Sequence, residues 1–196
     1  MVVLNAFKNY YEKIGGKTLK LFVEFEIPNK WALARLRSVV DIINGFTPSR
    51  TNPGYWKDGD IPWMTVEDIN DQGKYFSKTK QCINGELLNV SNRLVPPYST
   101  FLCCTSATIG KVAINTITTT SNQQFNGLVI KNKKVIVNEY LFIFCLTLKN
   151  KLLEIAGITT FPFVSVSKLG DILIPLPPVT EQDKIVKKLK AIENFF

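Results

Sequence analysis

Between Gly45 and Asp68 the chain reads GFTPSRTNPGYWKDGDIPWMTVED, and this stretch forbids a long helix. Pro48, Pro53, Gly54, Gly59 and Pro62 fall within fifteen positions. Prolines remove helical donors and glycines admit turn conformations, so the segment must fold as turns and short extended pieces. Tyr55, Trp56 and Trp63 sit between the turns, with Arg50 and Lys57 alongside. Flat amphipathic rings beside cations suit a surface that meets a polar, anionic, π-rich partner. Large aromatics are equally at home in an interior, so tryptophans closing the core of a β-rich domain are the alternative.

The rest of the composition narrows the partner and excludes much chemistry. The 196 residues carry 24 Lys and Arg against 16 Asp and Glu, a formal charge of +8 that favours a polyanion. Histidine is absent, which removes the commonest general base, every Ser-His or Cys-His pair and most catalytic metal sites. Cys82, Cys103, Cys104 and Cys145 show no C-x-x-C spacing, so zinc is not expected, and Cys103 and Cys104 read as buried free thiols. The longest apolar run, Tyr140 to Leu148, is about half of what a membrane span needs. Met1 to Tyr11 lacks the basic and apolar regions of a signal peptide, so the expected compartment is the cytoplasm, with no membrane partner.

In chain order, Leu4, Phe7, Tyr11 and Ile14 recur at helical spacing, and Gly15-Gly16 reads as the end of a short helix. An alternating, strand-like or extended linker over Lys17 to Glu26 leads to Trp31–Ile43, whose buried side is Leu33, Leu36, Val39, Val40 and Ile43. Gln72 to Asn92 is polar and irregular, a solvated surface or, as a group of cations, a track for phosphates. Val95-Pro96-Pro97-Tyr98 approaches the Asn/Asp-Pro-Pro-Tyr/Phe motif of adenine methyltransferases, but Val95 has no polar atom to hold a target amino group. Strands are expected at Thr100–Cys104, Lys111–Asn115, Phe125–Lys131 and Asp171–Ile174. Asn138 is placed to cap a helix from Glu139 to Ala156, closed by Gly157, and Thr180 to cap a last helix with Asp183 answering it.

Three segments now stand in order: G-x-T-P-S-R with Y-W and G-D-I-P-W; TSATIGKVAI at Thr105 to Ile114 followed by SNQQF; and GITTFPFVSVSKLGDILIPLPPVTEQDKIV from Gly157 to Val186. Together they resemble the target recognition domain of DNA specificity subunits of type I restriction–modification enzymes, over roughly residues 28 to 190. The resemblance implies an α+β fold, a twisted β-rich recognition domain with packed helices, flanked by short N- and C-terminal helices of the family's coiled-coil spacer. The expected division is 1–26 for the N-terminal helix and linker, 27–179 for the recognition domain and 180–196 for the start of the spacer helix. It implies a non-catalytic reader of double-stranded DNA with no cofactor of its own, directing modification (methyltransferase) and restriction subunits to one half of a split target. S-adenosylmethionine, ATP and Mg belong to those partners.

The family's usual subunit has two recognition domains, whereas this chain carries one, as a half-length or truncated form. Ile185, Leu189, Ile192 and Phe196 form a seam like that of Leu4, Phe7, Tyr11 and Ile14, able to pair within one chain, in a homodimer or with a second specificity chain. Two other readings are a recognition domain detached from a fused restriction–methylation enzyme and a remnant that docks without reading. Candidate DNA contacts are Arg50, Tyr55 and Lys57 in the opening loop, and Ser106, Thr108, Lys111, Gln123 and Gln124 in the central signature. Lys74, Lys78, Lys80 and Arg93 are phosphate candidates.

Overall fold

A computed structural model describes residues 2–4, 10–14, 16–21, 27–86, 89, 91–157 and 159–192. The expected N-terminal helix is replaced by strands β1 (Val2–Leu4), β2 (Tyr10–Ile14) and β3 (Lys17–Leu21), paired antiparallel in that order. Ile14 lies opposite Lys17, so the chain turns between two strands here and does not end a helix. Gly16 has φ +80°, which a hairpin turn needs. Tyr10 and Glu12 are buried with Tyr11 between them half-buried, a period of two that the aromatic and β-branched residues favour. The seam of Leu4, Tyr11 and Ile14 therefore does not exist as a helical stripe, and Phe7 lies outside the described residues.

The main domain begins with β4 (Ala32–Arg35), the single turn α1 (Leu36–Val39) and β5 (Val40–Asn44). Next come β6 (Ile61–Met64), α2 (Val66–Gln72), β7 (Tyr75–Phe76) and β8 (Gln81–Ile83). The apolar centre supplies β9 (Thr100–Cys103), β10 (Val112–Asn115), β11 (Thr120–Ser121) and β12 (Phe125–Ile130). After helices α3 (Asn138–Thr147), α4 (Lys149–Ala156) and α5 (Val166–Gly170) come β13 (Leu173–Leu176) and α6 (Val179–Lys190).

Strands β5-β12-β9-β10-β7 form a five-stranded sheet, antiparallel except where β7 joins β10. Both faces are covered, which is why β9 and β10 are buried at every position. Leu102, Val112, Ile114 and Leu128 face a core shared with the helices α3 to α6. Phe101, Cys103, Ala113 and Phe125 face a second core with Met64 and Ile69 of β6 and α2. Val95 is buried against the second core, and a side chain at Gly127 would collide with it. The sheet β11-β6-β8 lies over this side, and β13 pairs with β4 to return the chain.

The long helix expected from Glu139 to Ala156 is two, broken at Leu148, and Gly157 ends it at φ +78° as its position suggests. Neither Asn138 nor Thr180 is a cap, because each helix starts earlier, after Val137 and after Pro178. Ile185 and Leu189 pack on the helical core, Ile192 is exposed, and Phe196 lies outside the described residues. Half of the C-terminal seam is thus already used inside the chain. The mixed architecture agrees with the expected α+β class. Among the described residues no helix is long and apolar enough to cross a membrane.

Candidate nucleic-acid interface

The antiparallel registers bring the signature segments to one rim of the large sheet. Phe125 pairs with Cys103, and Asn126 with both Leu102 and Asn44. The end of β5, the end of β9 and the start of β12 therefore share an edge. The loop after Asn44, the turn after Cys103 and the turn before Phe125 leave from it together. Backbone bonds stitch them: Gly45 N–H donates to Phe125 O, Phe46 N–H to Ser121 O, and Cys104 N–H to Gln124 O. Gly45 must be glycine, since a Cβ there would lie 2.0 Å from Asn122 O. The closing segment arrives at the same place, where Phe163 bridges Thr105 and Val164 N–H donates to Cys104 O.

On this rim the opening loop folds over a small apolar base of Trp63, Ile83, Phe46, Trp56, Ile61 and Leu94. Trp63 is buried and donates its indole N–H to Phe46 O, while Trp56 is half-buried and donates to Ser49 O. The rings meet edge to face at 5.0 Å. Trp63 thus closes a core, and Trp56 supports the loop surface. Arg50 lies over the Trp56 ring at 3.5 Å and donates to Gln81 Oε1 at 2.7 Å. The Asn52 carboxamide accepts from Gly54 N–H, and Tyr55 O accepts from Asn84 N–H. Lys57 is exposed on the same loop.

The turns beside it carry most of the other candidates. Gln123 is exposed and bonds the Thr47 hydroxyl across 76 positions of chain. Gln124 accepts from the Asn122 amide at 3.1 Å, which shapes the turn. Ser106 and Thr108 form a short 3-10 turn, and the Thr108 hydroxyl lies 3.3 Å from the Cys103 sulfur. Lys111 bonds Asn70 of α2.

The phosphate candidates separate into different roles. Arg93 reaches inward, donating to Asn44 O at 2.8 Å and stacking by Phe46, so it braces the rim from below. Lys80 is held by Asp71 at 3.0 Å and Glu67 at 3.3 Å, which raises its pKa and neutralises it locally. Lys74 is half-buried near Phe142 and Tyr75, and desolvation and then Lys190 lower its pKa while Glu139 pulls the other way. Lys78 is exposed.

Several rim residues were not among the candidate contacts. Gln81, Thr47 and Asn70 take part through partners far away in sequence. Phe161 and Phe163 are 78% and 56% exposed on the closing loop, a placement that its threonine- and aromatic-rich composition alone signalled. Burial pushes the Cys104 thiol up to about 12 and raises Cys103 and Cys145 as well, so these thiols are inert packing. Among the described residues no group of His, Cys, Asp or Glu is placed to hold a metal.

Comparison with known proteins agrees with this arrangement. Residues 28–196 match the model of the type I restriction modification DNA specificity domain. The chain is 32% identical over 172 residues to the type I restriction enzyme MjaIX specificity subunit of Methanocaldococcus jannaschii, covering 86% of this chain and 39% of that one. It is 31% identical over 144 residues to the EcoprrI specificity subunit of Escherichia coli, covering 72% and 35%. Among solved structures, the HsdS subunit from Thermoanaerobacter tengcongensis superposes with a TM-score of 0.64 at 17% identity, over 87% of this chain and 39% of that chain. A chain from a study of type I R-M complex assembly and conformational transition gives 0.68 at 21% identity, over 87% and 40%. This chain spans about two fifths of the length of these relatives.

Proposed function

We propose that this chain, which belongs to the type I restriction modification DNA specificity family, reads one half of a split DNA target for a restriction–modification assembly. The observation that carries the reading is the convergence of the GFTPSR, TSATIGK, SNQQF and TTFPF segments on one sheet rim. There a stacked arginine, amide side chains and exposed aromatics lie together in a chain of charge +8. Amide and guanidinium groups are the chemistry of base edges, and exposed lysines that of phosphates. The chain supplies recognition and no catalysis, working in the cytoplasm with modification subunits that hold S-adenosylmethionine and restriction subunits that use ATP and Mg. One recognition domain accounts for one half-site. The other half falls to a second recognition domain.

The test is co-purification with the modification subunit encoded beside it, followed by mapping methylated adenines in host DNA. A symmetric interrupted target is the result expected of two identical recognition domains, and an asymmetric one of two different ones. A stable complex that methylates nothing would overturn the reading and leave a docking role.

A further inference from the structure

We propose that Gln81 reads a base edge and that Arg50 decides which edge it can read, an inference that rests on the recognition role above. Gln81 stands directly opposite Trp63 in the β6–β8 pair, so its side chain shares the face on which Arg50 lies. Arg50 is fixed from two sides, its plane over Trp56 at 3.5 Å and its Nη1 at 2.7 Å from Gln81 Oε1. A guanidinium has donors only, so the amide atom facing it must be the oxygen, and chemistry settles the side chain's orientation. The amide nitrogen then lies on the far side from Arg50, on a half-exposed residue of the strand that ends the small sheet.

A glutamine held this way offers N–H donors. In the major groove it donates to acceptors, guanine O6 and N7 or thymine O4, and meets adenine at N7 alone, beside an amino group it cannot accept from. The two-point adenine contact usual for glutamine needs the carbonyl to face the base beside the N–H, and Arg50, holding one of that oxygen's two lone pairs, directs the carbonyl toward itself. Arg50 is thus a positioning residue, and Gln81 the one that discriminates.

The test is selection from a randomised duplex library with the whole chain and with Gln81→Glu, Gln81→Met and Arg50→Met. In Gln81→Glu one carboxylate oxygen keeps Arg50 and the other becomes an acceptor. One target position should then shift by about tenfold or more toward a base presenting an amino group, cytosine or adenine. Gln81→Met should flatten that position alone, and Arg50→Met should widen it to admit adenine. Overall affinity is not the readout, because a new carboxylate weakens every duplex. If Gln81→Glu and Gln81→Met enrich the wild-type sequence unchanged, the inference falls while DNA recognition stands. If the wild type enriches no sequence, the recognition reading falls and takes this inference with it.

Discussion

Arg35 grips the Glu12 carboxylate along one edge of its guanidinium, with Nε 2.9 and 2.8 Å from the two oxygens and Nη2 2.5 Å from Oε2. Its remaining nitrogen donates to Asp171 O at 2.8 Å, so one side chain ties β2 and the turn before β13 to β4. Glu12 is buried, and removing one member of such a pair costs about 3 kcal/mol. Glu12→Gln should destabilise by that order in denaturant titration. The hydrogen bond from Arg35 holds the Glu12 pKa below its ordinary value despite desolvation. The unfolded chain therefore binds the proton first as pH falls. The pair's stabilisation is complete above the usual glutamate range and is lost as pH drops through the lower folded value. Wild type and Glu12→Gln should converge in stability on acidification, and a gap that persists would refute the assignment.

Gln182 has no exposed surface and satisfies three backbone groups at once. Its oxygen accepts from Val137 N–H at 3.0 Å, and its nitrogen donates to Val135 O at 2.8 Å and Pro177 O at 2.9 Å. This bracket locks α6 to the segment entering α3, which gives the Glu-Gln of the closing run a structural reason. Gln182→Leu strands two carbonyls and one N–H, at about 3 kcal/mol or more. Gln182→Glu should be no better at neutral pH, because a carboxylate would face two carbonyl oxygens, and should recover in part on acidification when it can donate. Denaturation midpoints for both variants at two pH values check this.

The elements that local pattern dictates were legible. Thr100–Cys103 and Val112–Asn115 are apolar runs separated by a glycine turn; they form the expected strands and pair antiparallel. The N-terminus misled because four residues at helical spacing also fit short strands, and pairing with Lys17–Leu21 decided the matter. At the rim, Arg50 and Trp56 lie close enough in sequence to be read together. The Arg50–Gln81 contact spans 31 positions and Thr47–Gln123 spans 76, so neither leaves a local trace. The carboxylates that neutralise Lys80, Glu67 and Asp71, lie on the helix that precedes it, and local pattern did not show that they fold back onto the lysine.

Tyr98 adopts φ +61° and is 58% exposed, so its side chain gains little while its backbone sits where a Cβ is unwelcome. The left-handed region costs a non-glycine residue about 1 kcal/mol. Tyr98→Gly should stabilise by that order, raising Tm by about 2–4 °C for a chain of this size. Tyr98→Ala keeps the Cβ and should gain nothing. A calorimetric scan in which alanine and glycine behave alike would place the cause in the side chain instead.

Lys57 and Lys80 are both exposed lysines, yet they should differ as DNA contacts. Lys80 lies between two carboxylates, whereas among the described residues no ion pair engages Lys57. A lysine that neutralises a phosphate releases a counterion, and its loss lowers the slope of log affinity against log salt by about 1. Lys57→Ala should show that change with duplex DNA, and Lys80→Ala should leave the slope where it is. Releasing Lys80 by Glu67→Gln together with Asp71→Asn should steepen the slope, because it removes two like charges from the DNA's approach and frees the ammonium. An unchanged slope for Lys57→Ala would show that Lys57 meets no phosphate, and a lowered slope for Lys80→Ala would show that Glu67 and Asp71 do not mask Lys80.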